Sequence, residues 1–267
     1  RCLTLDASHD RDASRQRHGS HCAAGPSIQT TIALHPISMD GPNAAHPIVY
    51  DMGQNMVGDV RLHVSGPRSM GVRLRYAERL NPDGSIYRAN LRNADATDLY
   101  TLRGGGEEVF APHFTFHGFK YVEVTGYPGK PDLTAITGNV VGSLNQPPTG
   151  TLSTSSELVN KMWKIGIWGQ RGNFLSIPTD CPQRDERLGW TGDAQVYIET
   201  ASLICDVQAF FNKWLVDLTD GQRADGQFPM VAPVKGAGDD GGPAWADAGV
   251  ICPWTISSIY GDHRLLE

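Results

Sequence analysis

The sequence predicts a multidomain chain of β structure followed by α structure, with an antiparallel β-sandwich first and a helical region after it. Three observations carry this reading. Between residues 45 and 147, apolar and polar side chains alternate over short stretches separated by turn-forming residues. NQPPTG, at 145–150, makes a stiff joint. Beyond that joint the apolar spacing changes from two residues to between three and four.

Residues 1–44 hold few large apolar side chains, show no period and begin without methionine. They read as a disordered or truncated lead-in, with SIQTTIALHPI as one added strand. In DVRLHVSG, Val60, Leu62 and Val64 alternate with Asp59, Arg61 and His63. In GVRLRYAE, Val72, Leu74 and Tyr76 alternate with Arg73 and Arg75. DLYTLRGG and HFTFHGFKYVEV follow, and NPDG and GGG supply turns. His113 and His117 stand four apart, but a strand would separate them by about 13 Å along one face. They do not chelate one ion in that state, and no metal site is expected.

SSELVNKMWKIGIWGQRGN opens the helical part with a capping-type Ser155-Ser156-Glu157, and Leu158, Met162, Ile165 and Trp168 recur at helical spacing. AQVYIETASLICD and VQAFFNKWLVDLTDGQ read as two more helices. WADAGVICPWTISSIYGD reads as a fourth, bent or broken near Pro253. Trp214 and Trp254 are expected in the helical core.

The bulk numbers exclude some classes. A net charge of −6 gives no electrostatic footprint for nucleic acid. No run approaches the roughly 20 apolar residues of a membrane span, and no secretory leader pattern is visible. The five cysteines form no C-x-x-C pair, which reads as free thiols in a reducing, cytoplasmic setting.

DCPQRDERLGWTGDAQ, residues 180–195, is the stretch that points to chemistry. It sets Asp180, Asp185, Glu186 and Asp193 beside Arg184, Arg187 and Trp190 without helical or strand period. A carboxylic acid donates a proton near neutral pH only if burial or neighbouring negative charge raises its pKa. Crowded acids supply that repulsion, while Arg184 and Arg187 hold others ionised. The Trp190 indole offers a flat apolar face suited to the C–H face of a sugar ring. These features suggest glycosidic bond cleavage. The competing reading is a surface loop whose charges pair with one another, with Asp193 capping a helix that begins near Ala194.

GNFLSIPTDCPQRDERLGWTGDAQ closely resembles the active-site segment of the α-L-rhamnosidases of glycoside hydrolase family 78. The resemblance extends upstream through YDMGQNMVGDVRLHVSGP, YAERLNPDGSIYRANLRNADATDLYTLRGG and FTFHGFKYVEVTGYPG, and downstream through DGQFPMVAP and GGPAWADAGVICPW. Asp59 departs from it by standing where a bulky aromatic is expected. The resemblance implies a β-sandwich over 45–147 and the first helices of an (α/α)6 toroid over 148–267. It implies inversion at the anomeric carbon, a rhamnose-containing glycoside or polysaccharide as partner, and no cofactor. By position, Glu186 matches the general acid and Asp180 a carboxylate on the rhamnose hydroxyls. Arg184 and Asp193 match polar contacts, Trp190 and Trp245 match aromatic walls, and Asp247 lies near the latter.

About four helices are legible where such a toroid needs twelve, and no position matches the family's general base. The chain is therefore expected to be a fragment lacking that base. A non-catalytic carbohydrate-binding protein is the alternative from another class. A polysaccharide lyase fits less well, because residues 180–195 contain neither Tyr nor His for proton abstraction.

Overall fold

The computed structural model describes residues 25–41, 47–235 and 241–266. The β part contains β1 (Gln29–Leu34), β2 (Ser38–Asp40), β3 (Ile48–Ser65), β4 (Gly71–Ala77), β5 (Arg79–Leu80), β6 (Ile86–Tyr87), β7 (Thr97–Thr101), β8 (Glu107–Phe110), β9 (His117–Thr125) and β10 (Ile136–Gly142). One antiparallel sheet runs in the order β1-β10-β3-β9-β4-β7, with β2 and β8 also on β3. β3 pairs β9 and then β8 on one edge, and β2 and then β10 on the other, with an irregularity between Asp51 and Met56. A strand of 18 residues that changes partners on both edges lets a single sheet curl around its own core.

The alternation read from the sequence is the packing pattern. Val60, Leu62, Val64, Val72, Leu74 and Tyr76 are buried, while the intervening arginines face outward. Asp59 is half-buried opposite Asn139 of β10, whose Nδ2 donates to its Oδ1 at 2.8 Å. A polar cross-strand pair thus stands where an aromatic was expected.

Two boundaries differ from expectation. Pairing begins at β1, inside the added strand expected over SIQTTIALHPI, so the sheet starts before residue 45; residues 1–24 and 42–44 of the supposed lead-in lie outside the described residues. The strand expected from His113 begins only at His117, after a left-handed Phe114 (φ 60°) that breaks the extended run. His117 is buried and stacks on Tyr76 with ring centroids 4.0 Å apart.

The helical part comprises α1 (Glu157–Asn173), a two-stranded turn of β11 (Phe174–Leu175) and β12 (Ile177–Pro178), α2 (Thr191–Ile204), α3 (Gln208–Asp220) and α4 (Ala248–Tyr260). Ser156 caps α1, its Oγ accepting from the Val159 N–H at 3.5 Å. The joint is fastened to the end of α2, where Thr149 and Gly150 N–H groups both donate to the Ile204 carbonyl. α4 runs through Pro253 without the break considered there.

α1 joins the two cores. Trp168 packs on the β core, whereas Trp163 and Ile167 pack on the helical one. Near its end, Gly172 lies so close to Val57 of β3 that an added Cβ would stand 2.7 Å from a Val57 methyl. The helical core holds Phe174, Phe210, Phe211 and Trp214, whose indole N–H donates to the Ala232 carbonyl at 3.0 Å. Trp254, expected beside Trp214, is 65% exposed. Leu158, Met162 and Ile165 are also exposed, so most of the stripe at helical spacing on α1 lies on the surface. Among the described helices, none is long and apolar enough to cross a membrane.

These exposed side chains make the chain prone to self-association. The triple substitution Leu158→Gln, Met162→Lys, Ile165→Gln is expected to reduce association in analytical ultracentrifugation. Each change should alter stability by no more than about 0.5 kcal/mol, since none fills a core position. Loss of cooperative unfolding in the triple variant would show that the stripe is packed after all.

Candidate active site

The loop from Thr179 to Trp190 links β12 to α2, and its two ends are fastened to each other. The Asp180 N–H donates to the Leu188 carbonyl at 3.1 Å, and the Leu188 N–H donates to Asp180 Oδ1 at 2.9 Å. Asp180 Oδ2 accepts from Arg184 Nη2 at 3.2 Å. The other arm of the same guanidinium, Nη1, donates to Glu186 Oε2. Glu186 Oε1 accepts from the Trp190 indole N–H at 2.9 Å. Asp180, Arg184, Glu186 and Trp190 therefore form one bonded chain at four-, two- and four-residue spacings.

The β part completes the loop's support. Arg92 Nη1 donates to Glu186 Oε2 at 2.8 Å, and the Asn93 N–H reaches Asp185 Oδ2 at 3.3 Å. Arg187, expected to hold an acid ionised, instead lies over the Phe116 ring, 4.3 Å from its centroid. Gly118 of β9 meets the loop backbone directly: an added Cβ would stand 2.7 Å from Gln183 Cβ and 3.1 Å from its Cα.

The acids separate in proton affinity, but in the sense opposite to the raised value expected of a donor at Glu186. Burial works to raise the Glu186 pKa, but hydrogen bonds from Trp190, Arg184 and Arg92 outweigh it and hold the carboxyl below its ordinary value. Asp193 shifts the other way, raised by crowding protein and then by the charges of Asp180 and Glu186. Cys181 is pushed up to about 11, chiefly by burial. Oxygen and sulfur atoms of Asp180, Cys181 and Glu186 lie within 4.8 Å of one another. The Arg184 guanidinium already meets both carboxylates, so a protein cation answers their charge.

Asp193 sits in the first turn of α2, which begins at Thr191, so it does not serve as the cap considered from the sequence. Asp180 and Asp193 both line a cavity of about 420 Å³ between α1 and α2, walled also by Gly169, Asn173, Phe174 and Tyr197. Glu186, Trp190 and Trp245 are not among its lining residues. Trp245 lies against Gly192, where an added Cβ would be 2.8 Å from the indole nitrogen, and is 39% exposed. Asp247 faces its own turn, accepting from the Ala244 N–H at 2.8 Å.

Arg92, Asn93, Phe116 and Gly118 were not picked out from the sequence. Only Gly118 left a signal there, since an isolated glycine within a strand pattern marks close backbone approach.

Residues 147–267 match the family described as bacterial alpha-L-rhamnosidase 6 hairpin glycosidase domain, and residues 43–142 match its bacterial alpha-L-rhamnosidase concanavalin-like domain. An alpha-L-rhamnosidase of Streptomyces avermitilis is 56% identical over 218 residues, covering 82% of this chain and 21% of the relative. One from Formosa agariphila is 40% identical over 227 residues, covering 84% of this chain and 24% of the relative. This chain thus spans about a fifth to a quarter of the length of these relatives. The crystal structure of the Streptomyces avermitilis alpha-L-rhamnosidase complexed with L-rhamnose superimposes with a TM-score of 0.86 at 50% identity, over 91% of this chain and 24% of that one. The native Aspergillus terreus enzyme gives 0.84 at 38% identity, over 90% and 28%.

Because Gln183 must retreat from any Cβ at position 118, Gly118→Ala is expected to destabilise the chain by about 1–3 kcal/mol. Denaturant unfolding measures the loss, and weakened contact between Arg92 and Glu186 should accompany it. An unchanged midpoint would mean that β9 and the loop are not in contact.

Proposed function

The chain belongs to the bacterial α-L-rhamnosidases, and from that premise we propose that it carries the proton-donor side of a site releasing terminal, non-reducing α-L-rhamnose. In this reading the sheet from β1 to β10 forms the β domain, and residues 148–267 open the catalytic toroid. The observation that carries it is the bonding of Glu186. Its carboxyl is gripped by Trp190 on one oxygen and Arg184 on the other, with the side chain still 21% exposed and linked through Arg184 to the cavity residue Asp180.

The sugar would place its hydroxyls on Asp180 and Asp193, with Arg184 and Asp247 nearby. Its C–H face and methyl group would lie toward Trp190 and Trp245. Glu186, once protonated, gives its proton to the departing glycosidic oxygen. A base on the opposite face activates the attacking water, which inverts the anomeric carbon. Such a base stands roughly 6.5–9.5 Å from the acid, and no residue of this chain is proposed for it.

In a hydrolytically active protein containing this chain, Glu186→Gln is expected to abolish turnover of natural rhamnosides. An aryl rhamnoside with an acidic phenol leaving group needs less protonation and should lose less. Equal loss on both substrates would overturn the donor role. Trp245→Ala is expected to shrink the preference for L-rhamnose over its 6-hydroxy analogue by about 1–3 kcal/mol in calorimetry. If affinities stay the same while the unfolding midpoint falls, Trp245 supports the fold and not the sugar.

A further inference from the structure

Glu186 carries two guanidinium groups on a single oxygen. One of them, Arg184, is also committed to Asp180; the other, Arg92, comes from the β part, 94 positions away. The remaining groups around the carboxyl are the Trp190 indole and the nearby Asp180, Asp193 and Cys181. A carboxyl doubly paired in this way is held ionised, and a proton donor at this place must shed a cation before it can take up a proton.

The two cations are not equally fixed. The Arg184 side chain is 22% exposed and joins two carboxylates, so removing it would leave Asp180 unpaired as well. The Arg92 side chain is 57% exposed and has Glu186 as its ion-pair partner. Its backbone sits at φ 55° and ψ −118°, a region that side chains rarely occupy and that persists where surrounding structure enforces it. The enforcement is visible on both sides, in Leu91 buried within the β part and in the Asn93 N–H bonded to Asp185. The backbone is therefore pinned while the guanidinium is free to swing into solvent.

We propose that Arg92 is a substrate-released clamp on Glu186: its guanidinium holds Oε2 in the resting site, and the glycosidic oxygen of an arriving rhamnoside takes its place. This rests on the donor role proposed above for Glu186. Release lets the carboxylate take up one proton from bulk solvent, which the base restores when it later gives up the proton it receives from the attacking water. The proton on Glu186 passes to the glycosidic oxygen as the bond from the anomeric carbon breaks, and the attacking water gives its proton to the base. Arg92 is thus a positioning residue, acting through Glu186 alone.

The test uses Arg92→Ala and Arg92→Lys, both at an exposed side chain. On this chain, a carboxyl-carbon NMR titration, with the Glu186 signal assigned through Glu186→Gln, needs no turnover. Arg92→Ala should move the Glu186 midpoint upward, and Arg92→Lys should keep it near that of the unsubstituted chain. An unmoved midpoint in the alanine variant overturns the clamp. In an active protein containing this chain, the alkaline limb of kcat/KM reports the free enzyme and that of kcat reports the substrate complex. Losing a cation raises the pKa of the acid, so the kcat/KM limb should move to higher pH in Arg92→Ala while the kcat limb stays in place. Movement of both limbs would overturn release, since Arg92 would then still sit on Glu186 in the complex. If Glu186→Gln retains turnover while the NMR midpoint still shifts, the donor reading fails and the clamp on Glu186 stands.

Discussion

Four carboxylates within fourteen residues repel one another, and the loop that holds three of them keeps its shape because a guanidinium stands between two of these. Arg184 bonds Asp180 and Glu186 at once. Since Asp180 is also tied to Leu188 at the loop's far end, that one cation fixes the loop's path as well as its charge. Removing either partner of such a pair costs more than the pair itself contributes, because the remaining charge is left without its counter-ion. Trp190 is aimed by the same bond network, its indole N–H on Glu186 and its backbone at the start of α2.

The β part does more than precede this loop. Gly118 brings the backbone of β9 against Gln183, Phe116 receives Arg187, and the segment around Arg92 reaches two of the loop's acids. α1 ties the same two regions from the other side through Trp168 and Gly172. Supports reach the loop from both directions, which fixes its path. Sandwich and helices therefore act as one scaffold around Glu186.

Much of this was legible where the determining contacts are local. Arg184 lies four residues from Asp180 and two from Glu186, and its pairing with the acids was read from charge and proximity, whereas the Trp190 indole was read as a face for the sugar and not as a donor to Glu186. The alternation of Val60, Leu62 and Val64 likewise named the buried face of β3. What could not be read depends on distant partners. Periodicity marked Leu158, Met162 and Ile165 as one side of a helix but said nothing of what that side meets, and it lies exposed. Trp254 was misplaced in the core for the same reason. Arg92 has no local feature that distinguishes it from any other loop arginine, because its meaning comes from a carboxylate 94 positions later. Arg187 was assigned to the acids by proximity in sequence, yet its left-handed backbone (φ 56°) accompanies a side chain on Phe116.

The central claim is that Asp180, Arg184, Glu186 and Trp190 form one preassembled donor side of a rhamnose site. A crystal structure of this chain soaked with L-rhamnose tests it most directly. The account predicts a sugar within hydrogen-bond reach of Asp180 or Asp193, its anomeric oxygen turned toward Glu186 and the Arg184 bridge unchanged. A sugar bound away from these residues, or a loop whose Asp180–Arg184–Glu186 bridge is broken with rhamnose in place, would contradict it.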